Sequence, residues 1–185
     1  MRRTLIYAAI AFSIPILFFF IFIRGGKPSA QSTDPAENQV LQNLSGNFDA
    51  TANINYKGIS ATATITQDSP LSCLVAFTAP DTLKDMRFEF SRDSVEVSYK
   101  GLSFDFDPSS VPGGSVANLA VSAINKVLLK EGLALSYEDG ALAVGGSNEN
   151  GAFTLVLDEE TGNFLKLSVP DHQLEIDFSN FAFLE

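Results

Sequence analysis

Residues 88–137 read FEFSRDSVEVSYKGLSFDFDPSSVPGGSVANLAVSAINKVLLKEGLALSY, and a double change of period inside them decides the fold class. Phe88 and Phe90 flank Glu89. Val95, Val97 and Tyr99 alternate with Glu96 and Ser98, and Leu102, Phe104 and Phe106 alternate with Ser103 and Asp105. A period of two marks strands with one apolar face. Pro108 to Gly114 ends that pattern. Ser115 is then a good N-cap for VANLAVSAINKVLLKE, about 16 residues, and Gly132 is a good stop beyond its end. Val116, Leu119, Ala120, Ala123, Ile124, Val127 and Leu128 recur at helical spacing. Leu133, Leu135 and Tyr137 then return to period two. One helix thus sits between two runs of strands.

The same reading extends outward in both directions. Upstream, Phe48, Ala50, Ala52, Ile54 and Tyr56 alternate with polar residues up to Lys57-Gly58. Ile59 to Ile65 and Leu71 to Phe77 follow, separated by the turn Asp68-Ser69-Pro70. Downstream, Leu142 and Val144 precede a polar loop from Gly145 to Gly151. Phe153, Leu155 and Leu157 run into Asp158-Glu159-Glu160-Thr161-Gly162. Leu165, Leu167 and Val169, then Leu174, Ile176 and Phe178, complete the pattern. Ahead of all this, Asp34-Pro35 caps a short helix that ends at Gly46. The expected fold is mainly β with α (α+β). It is a curved antiparallel sheet or half-barrel of about eleven strands wrapped around one long helix. A flat open sheet of that many short strands would leave its apolar face wet.

Residues 5–23, LIYAAIAFSIPILFFFIFI, form a run of 19 uncharged residues. About 20 residues of helix span a bilayer core. The reading is an uncleaved transmembrane anchor in preference to a signal peptide, whose apolar region is shorter, about 7–15 residues, and ends in a small-residue cleavage site. Residues 1–4 are its basic head, 24–33 a linker, and 34–185 the domain. The localisation that follows is the cell membrane, single-pass, with the carboxy-terminal domain extracytoplasmic.

Composition excludes several function classes. Beyond Lys27 there are 8 basic and 22 acidic residues, 8 − 22 = −14. Such a surface repels nucleic acid, whose binding needs clustered Lys and Arg. A single His and a single Cys leave no zinc cluster, and their places in a turn and in the core leave no usable Cys–His pair. His172 reads as a turn residue and Cys73 as a small core residue. Asp105 with Asp107, and Asp158 to Glu160, read as solvated turns without a calcium-loop pattern. VPGGS at 111–115 lacks the lysine of a phosphate loop. No catalytic residue, metal or cofactor is expected, and the chain is not expected to be an enzyme.

Two passages carry a family resemblance. FTAPDTLKDMRFEFSRDSVEVSYKGLSFDFDP (77–108) and FTLVLDEETGNFLKLSVPDHQLEIDFSNFAFLE (153–185) resemble the lipoprotein-carrier superfamily of LolA and LolB proteins. Asp158, Thr161, Gly162, Phe178, Asn180 and Phe181 match a terminal D-x-x-T-G … F-x-N-F pattern of that superfamily. The resemblance implies a half-barrel of about eleven strands with an apolar cavity for acyl chains. A permanent anchor prevents free shuttling, so it implies a fixed lipid-handling or envelope-sensing role. The residues expected to line the cavity are Phe77, Phe88, Phe90, Phe104, Phe153 and Phe178, with Leu119, Ala120, Ala123 and Ile124 of the helix, where small side chains leave room. Two functions follow. One is binding of a lipid, acyl chain or lipidated partner. The other is a filled-core domain that senses or recognises another envelope protein.

Overall fold

The computed structural model describes residues 47–69, 71–130, 132–138 and 140–184. The expected anchor, linker and short first helix lie outside these residues. Among the described residues no helix is long and apolar enough to cross a membrane. The elements are β1 (Phe48–Tyr56), β2 (Ile59–Ser69), β3 (Ser72–Ala79), β4 (Arg87–Phe90), β5 (Val95–Tyr99) and β6 (Leu102–Phe106). The helix α1 (Val116–Leu128) follows. Then come β7 (Ala134–Glu138), β8 (Ala141–Asn148), β9 (Gly151–Asp158), β10 (Phe164–Val169) and β11 (Leu174–Phe183).

All eleven strands form one open antiparallel sheet in the order β6-β5-β4-β3-β2-β1-β11-β10-β9-β8-β7. The first meander runs from the middle of the sheet to one edge. Helix α1 carries the chain to the opposite edge, and the second meander returns to pair β11 with β1. Two strands far apart in sequence therefore form the central seam.

Tight turns fix the register. Lys57-Gly58 and Lys100-Gly101 both have positive φ at both residues, as two-residue hairpins of the twist-matched type require. Ile54 therefore faces Ala61, and Ala52 faces Ala63. The inner face that results carries the core: Phe48, Ala50, Ala52 and Ile54 on β1, Ile65 on β2, Val75 on β3, Leu155 on β9 and Ile176 on β11 are all buried. Helix α1 packs against β8 and β9 and buries Ala117, Leu119, Ala120, Val121, Ala123, Ile124 and Val127.

Three expectations need correction. First, the polar run after Val144 is not a loop: β8 continues to Asn148, and Gly146 pairs with Phe153. A Cβ on Gly146 would lie 2.5 Å from the Phe153 ring, so the glycine makes room for the ring. Second, a register shift between Phe164 and Lys166 changes the phase at the start of β10, while Leu167 and Val169 are buried as expected. Phe164 is buried and Leu165 is exposed, opposite to the simple alternation. Third, α1 ends at Leu128, short of Gly132. Lys130 takes the left-handed conformation and donates its N–H to the Val127 carbonyl.

Candidate functional site

An apolar groove of about 250 Å³ opens on the inner face between the first meander and the amino-terminal turn of α1. Its floor comes from Ile54 and Tyr56 of β1, Ala61 of β2, Phe77 of β3 and Phe88 of β4, with the largely exposed Ile59 of β2 at its open end. Leu83 and Met86 of the β3–β4 loop form one wall, and Ser115, Val116 and Ala117 form the other. Strand alternation puts the floor residues on one face. Ala61, small and opposite Ile54, leaves the floor low.

Hydrogen bonds hold the mouth. The Tyr56 hydroxyl donates to the Gly114 carbonyl at 2.8 Å, which ties the loop before α1 to the end of β1. Gly114 has His172 and the Tyr56 hydroxyl as near neighbours, and a Cβ on Gly113 would lie 2.6 Å from Asn150 Oδ1. The two glycines thus permit close approach between this loop and its neighbours. Ser115 Oγ accepts from the Asn118 N–H at 3.4 Å and starts the helix. Among the described residues no Asp, Glu, Lys, Arg or His lines the groove. The arrangement can shelter hydrocarbon. The polar side-chain atoms on its lining are the Ser115 and Tyr56 hydroxyls, one capping α1 and the other donating to Gly114.

Of the residues expected to line a cavity, the structure brings Phe77 and Phe88 together on this floor. Phe90 is buried beside Phe88 with rings stacked at 6.5 Å, one residue pair beyond the groove. Phe104 stands on β6 opposite Val97 and is 58% exposed. Leu119, Ala120, Ala123 and Ile124 lie in the closed core under the helix, and Phe153 lies against Gly146. Phe178 belongs to an aromatic cluster with Phe48, Phe164 and Phe181, ring centroids 4.9–5.7 Å apart. Ile54, Tyr56, Ile59, Ala61, Leu83, Met86 and Val116 were not anticipated. The hairpin register around Lys57-Gly58 was the available signal for four of them.

The remaining polar motifs have structural roles. Asp158 accepts from the Thr161 N–H and hydroxyl, both at 2.7 Å, and these bonds hold its carboxyl below the usual range. Asp107 caps the short turn at Pro108–Ser110, and its bonds from Ser109 act the same way. Burial pushes the Cys73 thiol up to about 12, with Asp68 adding to the effect. Among the described residues no group of three or more His, Cys, Asp or Glu is placed to hold a metal ion. Two wider depressions, about 400 and 430 Å³, lie among polar side chains, around Asn53, Asn55 and Asp177 and around Arg87, Ser98 and Lys100.

Two meanders joined by one helix into an open eleven-stranded antiparallel sheet define the architecture. An uncharacterized conserved protein from Thermus thermophilus shares it at a TM-score of 0.56 and 14% identity, covering 84% of this chain and 89% of that one. A LolA superfamily protein from Nitrosomonas europaea aligns at a TM-score of 0.45 and 10% identity, over 80% and 93% of the two chains. A domain from Vibrio parahaemolyticus, named for outer membrane lipoprotein sorting, aligns at 0.41 and 13%, over 81% and 95%. Likeness at such identities is one of fold. No protein-family model and no curated protein matches the chain.

Proposed function

We propose that this protein binds an acyl chain, as a lipid or on a lipidated partner, in the groove beneath the amino-terminal turn of α1. The observation that carries this reading is the groove's lining. Aliphatic and aromatic side chains dominate it and none of them is charged. Its 250 Å³ is below the roughly 300–1,000 Å³ of sites for drug-sized ligands. It therefore takes part of a chain, and the rest leaves over Phe88, Val97 and Phe104, which share one row of the sheet. In this reading the sheet curves around α1 as a half-barrel. Residues 5–23 anchor it, the domain lies outside the cytoplasm, and the protein is not an enzyme.

A photoactivatable acyl probe added to membranes containing the full chain tests the reading. Cross-links are expected on Met86, Phe77 and Phe88. Ala61→Trp, which fills the floor, should lower the yield at least tenfold. Cross-links scattered over the surface and indifferent to Ala61→Trp would sink it. A second reading, recognition of an envelope protein, is favoured by one observation. Leu102, Phe104 and Phe106 stand exposed in a row on the edge strand β6.

A further inference from the structure

The chain contains the same hairpin tip twice. Tyr56-Lys57-Gly58-Ile59 joins β1 to β2, and Tyr99-Lys100-Gly101-Leu102 joins β5 to β6. The copies agree in detail. Lys57 and Lys100 each place Nζ over the preceding tyrosine ring, at 4.9 and 5.0 Å. Each tyrosine hydroxyl donates to a loop carbonyl, Tyr56 to Gly114 at 2.8 Å and Tyr99 to Thr82 at 3.0 Å. Ile59 and Leu102 project into solvent, 64% and 63% exposed, although their strands continue into the sheet. Neither glycine has an atom within 4 Å of where a Cβ would be, so both tips are open.

Sheet connectivity puts both tips at one end of the strands, with the β3–β4 loop between them. That loop carries Lys84, and Arg87 follows it. Four of the eight basic residues beyond Lys27 are thereby gathered at this end, against Asp81 and Asp85 in the same loops. Across the seam, the same end of the second meander carries Glu149 and Asp171. The opposite end of the first meander carries Asp68, Asp93 and Asp107 with Arg92 alone as a cation. The groove opens between the β1–β2 tip and the β3–β4 loop. Aliphatic tips, tyrosines at the level behind them and exposed lysines that can swing outward from the tyrosine rings are the parts of an interfacial contact with lipid.

We propose that the two Tyr-Lys-Gly tips dock this end of the domain on an anionic lipid surface, with Ile59 and Leu102 inserted among the headgroups and Lys57 and Lys100 on phosphates. This does not depend on the groove holding a ligand, and the two ideas fail separately. The test uses the full chain in vesicles of phosphatidylcholine, alone or mixed equally with phosphatidylglycerol. An environment-sensitive dye is placed at Ser60→Cys or Ser103→Cys, beside the tips, or at Asp93→Cys, at the far end. Cys73 is buried and does not compete for label. With phosphatidylglycerol, emission at both tips should shift to the blue while Asp93→Cys stays unchanged. The ratio of inserted to free tips should fall roughly 30-fold in Lys57→Ala/Lys100→Ala, at about fivefold per lysine. Arginine at both positions should restore it. Tip dyes that stay in water on the anionic vesicles, as they would if an acidic protein were the true partner, overturn the proposal. So does a shift that ignores the two lysines.

Discussion

Gly146 shows what one missing side chain does for this core. Its place opposite Phe153 is occupied by the phenyl ring, with Leu133 also close. Gly146→Ala has no open space to enter, and overpacking of a well-filled core costs about 1–3 kcal/mol. A lower urea midpoint with an unchanged slope is the expected outcome. Phe153→Leu in the same chain should recover part of the loss, because the shorter side chain vacates the contact. From sequence alone Gly145-Gly146 reads as a loop, since glycine is a turn residue more often than a partner for a ring. Only the cross-strand neighbour, seven positions away, tells the two uses apart. Cys73 and His172 need no such correction: one is a buried thiol and the other sits in the Pro170–His172 turn.

For the elements, cap chemistry and the phase of most strands were legible, and the phase at the start of β10 was not. Ser115 begins α1 as its residue type predicts, with Oγ accepting from Asn118. Ser115→Ala should cost about 1 kcal/mol in chemical denaturation. Ser115→Asp should cost much less, because it keeps an acceptor there. The end of the helix was misplaced because Lys130 adopts a conformation that lysine rarely takes, three residues after the last buried position of the helix, Val127. In β10, Phe164, Leu165 and Leu167 fit either face on paper. The bulge selects Phe164, which stacks into the cluster of Phe48, Phe178 and Phe181. Asn180, with φ of +50°, sits beside Phe181 where β11 departs from plain alternation. The D-x-x-T-G and F-x-N-F residues thus serve a turn and a bend.

In the whole molecule, stability should depend on the β1–β11 seam. These strands are the first and last described, and their pairing unites the two meanders. Ala52→Pro removes a donor from a strand with neighbours on both sides, Ala63 and Phe178. Loss of the folded domain is expected, seen as collapse of protease resistance across both meanders. Ser103→Pro in the edge strand β6, paired on one side only, should leave most of that resistance intact. Equal sensitivity at the two sites would mean that the edge is covered and that the seam is not the weak point.

Local sequence was enough for the strand–helix–strand order, the two tight Lys-Gly turns, the N-cap and the apolar faces of most strands. Each of these depends on residues within a few positions of one another, where alternation, backbone preference and capping act. Tertiary structure alone decided which strands meet at the seam, which of Phe164 and Leu165 faces inward at the start of β10, and where the groove lies. Those outcomes depend on partners more than a hundred residues apart, as with Ala52 and Phe178, and on single inserted residues that shift phase. The groove is assembled from three strand pairs, a loop and a helix end. Its phenylalanines stand out in the sequence, but the aliphatic side chains and the small Ala61 that leave it open do not.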